Sequence, residues 1–299
     1  MKRMGILVSG DGWHLRALEE ALGRLGSRPV RLEARRLAGL VAEAPSVRAS
    51  GRDLDSLDAL LVRFIPPGSL DQIVFRIDCL HLLADGRLPV LNPPRAIERT
   101  IDKHWTSRLL RDAGIPTPKT VAAEGFDDAM EAFASMRDVL VKPLLGSGGR
   151  GIVRISDEDL AYRTFRALEM QRAVFYLQEF VPHGASDLRL FVVGDRLVAA
   201  ARRTGRGWKT NVAAGAVAGA HRPHPLEEDL ALRACRAVGA DYAGVDLVEA
   251  EDGRTLVLEV NGVPGWAALQ ETTPVDIATE IARLALERAA ARHGAAARA

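Results

Sequence analysis

Residues 243–261 read Ala243-Gly-Val-Asp246-Leu-Val-Glu-Ala-Glu251-Asp252-Gly253-Arg254-Thr-Leu-Val-Leu-Glu259-Val-Asn261. Two alternating, β-branched runs flank an Asp-Gly pair, which is the strongest short-range signal for a hairpin. A two-residue turn at Asp252-Gly253 sets Glu251 opposite Arg254 and, counting outward, Asp246 opposite Glu259. Period-2 alternation then puts Asn261 on the same face. Opposed side chains have Cβ atoms roughly 4.5–5.5 Å apart, and like charges so placed repel. A positive group is therefore expected between them. Two carboxylates and an amide oxygen suit a hard divalent cation such as Mg²⁺, which prefers oxygen ligands and keeps waters or a substrate phosphate. An arginine or lysine neutralising the pair is the alternative, and the hairpin alone leaves both open.

The surrounding chain has 299 residues, 47% hydrophobic and 26% charged, which is ordinary globular composition with enough material for two or three lobes. Lys and Arg number 40 against 39 Asp and Glu, a formal net charge of +1, so no global basic field favours nucleic acid. The first ten residues, Met1-Lys-Arg-Met-Gly-Ile-Leu-Val-Ser-Gly, are too poor in apolar residues for a signal peptide, and no run approaches membrane-spanning length. A soluble, cytoplasmic protein with no membrane partner is expected, and a homo-oligomer. Cys79 and Cys235 form no CxxC-type pair, so buried free thiols are expected rather than a disulfide or a zinc site.

Along the chain, Ile6-Leu-Val, Gly10-Asp-Gly12 and an amphipathic helix over about 15–25 make an α/β opening. The dinucleotide fingerprint is incomplete there, because its third glycine would fall at Leu15. Leu57–Phe64 reads as a further parallel strand, and Pro93-Pro94 closes a first lobe at 1–94. A second lobe, 95–182, opens on a helix over about 95–113 that carries Asp102 and Lys103. Its strand Val139-Leu-Val-Lys142 runs into the tip Gly146-Ser-Gly-Gly-Arg-Gly151, and helix 157–171 leads to a strand over 173–181. A third lobe, 183–290, contains a hairpin turning at Gly194-Asp195, helix 226–238, the opening hairpin and a last helix from about Asp276. Residues 291–299 are alanine-rich and expected to fray.

The glycine tip presents successive N–H groups to anionic oxygens, and it lacks the Gly-Lys-Ser/Thr ending of a Walker A loop. Lys142 on the incoming strand and Lys103 on the preceding helix are candidate phosphate cations. Gln178-Glu179-Phe180-Val181 has the character of a connector, whose Glu179 and backbone at Val181 suit an adenine edge. On the Gly194-Asp195 hairpin, counting places Arg189 opposite Ala200 and Asp187 opposite Arg202, with an Asp187–Arg202 ion pair as the structural alternative. Arg202, Arg203, Arg206 and Lys209 then form a basic loop before Asn211.

In this order the pieces resemble the ATP-grasp superfamily: helix lysine, strand lysine, glycine loop, Gln-Glu-Phe-Val connector, Asp-x-Arg hairpin, basic loop ending in Asn, and Asp…Glu-x-Asn. The resemblance covers about Lys103 to Gly265. Asp187-Leu-Arg-Leu-Phe-Val-Val-Gly-Asp, Arg202-Arg, Trp208-Lys-Thr-Asn211 and Glu259-Val-Asn-Gly-Val-Pro-Gly-Trp266 are similar to the RimK-type glutamate ligases. The resemblance implies an α/β ATP-grasp fold, with a parallel-sheet first lobe and two α+β lobes enclosing the nucleotide. It implies ATP held by Lys103, Lys142, Gly148 and Gly149, adenine read by Gln178, Glu179 and Val181, and ribose by Asp187. It further implies Mg²⁺, with Mn²⁺ as substitute, on Asp246, Glu259 and Asn261. Arg189, Arg202 or Arg203, Lys209 and Asn211 would face the acyl phosphate and acceptor.

The implied reaction is amide formation through an acyl phosphate, with glutamate as amino donor. The Glu-Val-Asn-Gly-x-Pro-x-Trp form points to a small-molecule carboxylate of the tetrahydromethanopterin kind as acceptor. A protein or carrier-protein C-terminus, a non-catalytic ATP-binding regulator and a kinase are the competing readings. One departure stands out: several ATP-grasp ligases carry an arginine two positions before the first metal aspartate, where this chain has Gly244. The basic loop is then expected to meet the charge of the intermediate.

Overall fold

The structure is a computed structural model that describes residues 1–296 except 43, 45, 147–148 and 211–214. Its first lobe is a parallel sheet. Strand β1 (Arg3–Val8) leads through Gly10 and Gly12 into helix α1 (Trp13–Arg24) and β2 (Arg28–Glu33). A small antiparallel sheet of β3 (Leu37–Gly39), β4 (Val47–Ala49) and β5 (Arg52–Asp53) follows, then β6 (Ala59–Val62), α2 (Leu70–Asp85) and β7 (Val90–Leu91). The strand order β2-β1-β6-β7 is parallel throughout, as expected from the all-apolar runs Ile6-Leu-Val and Ala59-Leu-Leu-Val. Helix α2 was absent from the sequence expectation. Its outward Leu70, Val74, Phe75 and Leu82 are exposed and blur the amphipathic stripe, although Ser69 and Gln72 form an N-terminal Ser-x-x-Gln signature in which Gln72 accepts from the Ser69 N–H at 3.3 Å.

The helix expected over 95–113 is two helices, α3 (Pro94–Ile101) and α4 (Lys103–Asp112). They part at Asp102, whose backbone is extended and whose carboxylate caps α4 by accepting from the Trp105 N–H at 3.0 Å. The break makes Lys103 the first residue of α4. The middle lobe continues with β8 (Thr120–Ala123), α5 (Phe126–Met136), β9 (Val139–Lys142), β10 (Val153–Ile155), α6 (Glu158–Met170) and β11 (Phe175–Glu179). Its sheet has the order β10-β9-β11-β8, and it packs its own core, in which Phe133, Val141, Phe165 and Phe175 are buried.

The third lobe comprises β12 (Ser186–Val193), β13 (Arg196–Thr204), β14 (Val217–Ala220), α7 (Pro225–Val238), β15 (Tyr242–Glu249), β16 (Thr255–Asn261), α8 (Ala267–Gln270) and α9 (Ile277–Ala296). One sheet of order β14-β13-β12-β15-β16 sets the central register. Leu188, Leu190, Val245 and Leu247 face α7 on one side, which leaves Asp187, Arg189 and Asp246 for the other. Helix α9 returns to the first lobe, where Ile277, Ile281 and Ala285 share a core with Met4, Ile6, Leu18 and Leu61. It stays helical into the segment expected to fray. Both cysteines are free and buried. Among the described residues no helix is long and apolar enough to cross a membrane.

Asn92, fully buried, fastens the first lobe to the hairpin. Its Nδ2 donates to the carbonyls of Tyr242 (2.8 Å) and Gly262 (2.5 Å), and its Oδ1 accepts from the N–H groups of Asp241 (2.6 Å) and Tyr242 (3.0 Å). Asn92→Ala strips four buried backbone groups of their partner, and destabilisation by about 3–5 kcal/mol is expected in denaturant unfolding.

Candidate active site

The opening hairpin pairs Asp246 with Glu259, as counted from the sequence, but by a different route. The turn holds three residues rather than two: Ala250 and Arg254 close it, the Gly253 N–H donates to the Ala250 carbonyl, and Gly253 takes φ +85°. That shifts the pairing by one residue, and an irregularity between Asp246 and Leu247 shifts it back. On β12 and β13 no such cancellation occurs. A bulge beyond Phe191 places Asp187 opposite Arg203 and Arg189 opposite Ala201, which corrects the expected pairing of Asp187 with Arg202 and of Arg189 with Ala200.

Arg203 is the arginine that reaches the site. Its Nε and Nη2 donate to both oxygens of Asp187 at 2.7 and 2.6 Å, and Nη2 lies 3.1 Å from Asp246 Oδ2. Arg202 points to the opposite face, where it pairs with Glu249 at 2.6 Å, so its candidacy falls. Asp187 also accepts from Thr210 Oγ1 at 2.6 Å. With its oxygens committed to Arg203 and Thr210, Asp187 is a buried anchor for Arg203 rather than a free ribose ligand. Burial lowers the Arg203 pKa, but the charges of Asp246 and Asp187 outweigh it and hold the guanidinium above its usual range. Burial pushes the Asp187 carboxyl up, and Arg203 opposes.

Arg189 lies beside Asp246 with Nε 2.8 Å from Oδ1, yet off the line of a hydrogen bond, so that buried oxygen has no aligned donor. Gly244 makes this possible: a Cβ there would run into Nη1 of Arg189 and stand 3.2 Å from Pro264 Cβ. Arg189 thus reaches over Gly244 from the neighbouring strand, and Arg203 approaches the same carboxylate. The Asn261 amide bridges Glu259 Oε1 (2.7 Å) and Arg189 Nη1 (3.1 Å) when its nitrogen faces Glu259. With its oxygen turned to Glu259, two acceptors converge as ligands of one cation do. Among the described residues no three His, Cys, Asp or Glu side chains cluster as a metal site. Two carboxylates, one with an unsatisfied buried oxygen, and an amide suit a hard cation that keeps water or phosphate oxygens in its shell.

A cleft between the middle and third lobes collects these groups. Lys103, Lys142, Gly149, Asp187, Arg189, Arg203, Lys209, Asp246, Glu259 and Asn261 line it, together with Leu140, Ile152, His183, Trp208 and Leu258. Lys103 donates from the start of α4 to the carbonyls of Leu144 (3.3 Å) and Gly146 (2.7 Å), and so holds the base of the glycine loop. Lys142 donates to Gln178 Oε1 at 2.5 Å, which makes Gln178 a positioning group for the lysine. Burial lowers the Lys142 pKa to about 8 against the raising effect of Glu259. Burial likewise lowers Lys103, and it raises Glu259, where the Asp246 charge adds to it.

Glu179 and Val181 do not line the cleft. Val181 is buried against Val248, Ala250 and Leu256. Lys209 donates to the Ile152 carbonyl at 3.2 Å. Gly148 and Asn211 lie outside the described residues. Leu140, Leu258, His183, Arg150 and Thr210 were missed by the sequence reading. Two of them had a signal, Thr210 in its place beside Lys209 in the basic loop and Arg150 within the glycine tip. Trp266 is 1% exposed and packs on Phe191, whereas Trp208 faces the cleft.

Residues 100–285 match the RimK-like ATP-grasp domain. The chain belongs to the RimK-like ATP-grasp family. It is an ATP-dependent ligase, and the family uses ATP with a divalent metal. A tetrahydromethanopterin:alpha-L-glutamate ligase of Methanococcus maripaludis is 33% identical over 297 residues, with 96% of this chain and 99% of that one covered. The protein of the same name from Methanocaldococcus jannaschii is 38% identical over 235 residues, 76% and 79% of the two chains. Among solved structures, a RimK domain ATP-grasp protein from Sphaerobacter thermophilus superposes with a TM-score of 0.76 at 26% identity, covering 95% of this chain and 99% of that one. The ATP-grasp ligase PsnB, solved with a minimal precursor, gives a TM-score of 0.76 at 20% identity over 96% and 99% of the chains, a likeness of fold.

Two outcomes are expected of this RimK-like ligase. Gly244→Ala drives Arg189 off Asp246, so ADP release should fall by about 10²-fold, and the melting temperature should fall as well because largely buried charges lose their partner. Lys142 carries its charge below about pH 8 and loses it above, whereas bound nucleotide retains the proton. Calorimetric affinity for AMPPNP should therefore fall with rising pH beyond 8, by at most about tenfold per pH unit. In Lys142→Met it should be weaker at pH 7 and flat across the same range.

Proposed function

We propose that the chain joins the amino group of L-glutamate to a carboxylate of a small-molecule acceptor, a pterin-bearing C1 carrier of the tetrahydromethanopterin kind, while ATP is cleaved to ADP and phosphate. The observation that carries this is the two-walled cleft: Lys103 and Lys142 come from the middle lobe, and Asp246, Glu259 and Asn261 from the third. The full-length similarity to the Methanococcus maripaludis ligase supports the choice of substrates.

Lys103 and Lys142 bind the ATP phosphates beneath the glycine loop, and Leu140 and Leu258 from the facing sheets sandwich the base. Asp246, Glu259 and Asn261 would hold Mg²⁺, or Mn²⁺ in its place, which would supply positive charge to the phosphate oxygens. An acceptor carboxylate oxygen attacks the γ-phosphorus, and the bond from phosphorus to the ADP oxygen breaks. The glutamate nitrogen then attacks the acyl carbon, loses a proton to solvent, and phosphate leaves with the electrons of its C–O bond. Arg189, set over Gly244, stabilises the oxyanion of the tetrahedral intermediate, and Arg203 fixes Asp246 for its part. No side chain serves as nucleophile. Orientation and fixed charge lower the barrier.

An ADP-release assay with L-glutamate and a panel of small-molecule and peptide carboxylates tests the proposal. Turnover is expected only where a small-molecule carboxylate and glutamate are both present. Turnover with peptide C-termini alone would reject the substrate class, and tight ATP binding without turnover on any acceptor would reject the ligase role. Glu259→Gln should cut Mg²⁺-dependent ADP release by about 10³-fold, and wild-type activity in that variant would remove Glu259 from the metal set.

A further inference from the structure

Arg63, the residue after β6, is a buried cation without a carboxylate. It is 8% exposed and makes no ion pair among the described residues. Its Nη2 donates to the Pro264 carbonyl at 2.6 Å and its Nη1 to Tyr242 Oη at 3.4 Å, while the buried Nε meets no acceptor. The guanidinium lies 4.4 Å from the centre of the Trp266 ring, a cation–π contact that offsets part of the desolvation. A buried charge with only neutral partners is costly, and such groups persist where a counter-ion arrives.

Its place in the fold says where that counter-ion comes from. In the order β2-β1-β6-β7 the chain winds one way from β1 to β2 and the other way from β1 to β6, so the strand order reverses between β1 and β6. Open parallel sheets bind ligands in the crevice beyond the carboxyl ends of their strands at such a point. Arg63 stands at the end of β6. At the end of β1, Gly12 starts the 12-residue helix α1 with no side-chain cap and no acidic residue in the first turn, so the first N–H groups lack a protein acceptor there. Nearby acids are engaged elsewhere: Asp11 pairs with Arg31 at 2.5 Å, and Glu33 accepts from the Gly10 N–H at 3.1 Å.

His14, in the same turn, accepts from the Trp266 backbone N–H at 2.9 Å through Nε2, which leaves its proton on Nδ1 as a donor with no partner among the described residues. The half-exposed Trp13 ring packs edge-on at 6.3 Å from Trp266 and forms an apolar wall. Pro264, which receives Arg63 on one side, faces Gly244 and hence Arg189 on the other, so a single residue separates this crevice from the proposed reaction centre.

We propose that Arg63, with the first turn of α1 and His14, binds a substrate carboxylate other than the one that is activated. The proposal rests on the ligase reading, in which two substrates carry such groups: the acceptor, and glutamate with its two carboxylates. Glutarate, titrated into the intact chain and followed by tryptophan fluorescence, probes the site without turnover. Saturable binding is expected, weakened about tenfold or more by Arg63→Met, less by Arg63→Lys, and unchanged by Glu259→Gln.

In turnover assays Arg63→Met should leave the KM for ATP within about twofold and raise the KM of either glutamate or the acceptor by about tenfold or more, and the substrate affected is the one whose carboxylate sits there. Were Arg63 only a strut for Pro264, its methionine variant would lose melting temperature and alter no substrate KM. That result, or glutarate binding that is absent or independent of Arg63, overturns the proposal. Wild-type ADP release would still report on the ligase reading separately.

Discussion

The site depends on a buried alternation of charge across the face of one sheet: Asp187, Arg203, Asp246, Arg189, and beyond them Asn261 and Glu259. Asp187, Arg203 and Asp246 are buried and Arg189 and Glu259 largely so, and removal of one member strands its neighbours in a low-dielectric setting. The register of three strands creates the order. Arg189 pairs with Asp246 across β12 and β15, and Asp187 pairs with Arg203 across β12 and β13. A slip of one residue in any strand would turn that strand's contribution toward α7. Electrostatics and sheet register are therefore one constraint here.

Much of this was legible in the sequence, though not always for the right reason. The pairing of Asp246 with Glu259 came from an assumed two-residue turn, and two irregularities that the sequence does not advertise happen to cancel. On the preceding hairpin a single bulge past Phe191 had no partner to cancel it, and counting paired Asp187 with Arg202 where the structure pairs it with Arg203. Counting residues across a hairpin is reliable only up to the first bulge, whose position depends on packing behind the strand. The helix break at Asp102 was similarly hidden, because Asp caps one helix as readily as it sits exposed on another. Long-range partners such as Lys142 with Gln178 follow from sheet topology, and no local pattern encodes them.

The residues that the sequence reading missed are informative about its limits. Leu140 and Leu258 look like ordinary strand residues, and only the facing of two sheets makes them walls of a cleft. Gly244 appeared as a missing arginine. In three dimensions it is the gap that an arginine from the next strand fills.

The chain begins in the first lobe, and its last helix α9 comes back to pack there, so the first and third lobes share one apolar core, α4 adds Leu110 to the core under α7, and only the segment from β8 to β11 packs a core of its own. Cooperativity should follow that partition rather than the order of lobes along the chain. Two melting units are implied, one built from both ends of the polypeptide and one from its centre. Since the cleft is walled by one surface from each unit, nucleotide bound there links their unfolding, and a ligand-free melt and a liganded melt report different numbers of transitions from the same fold.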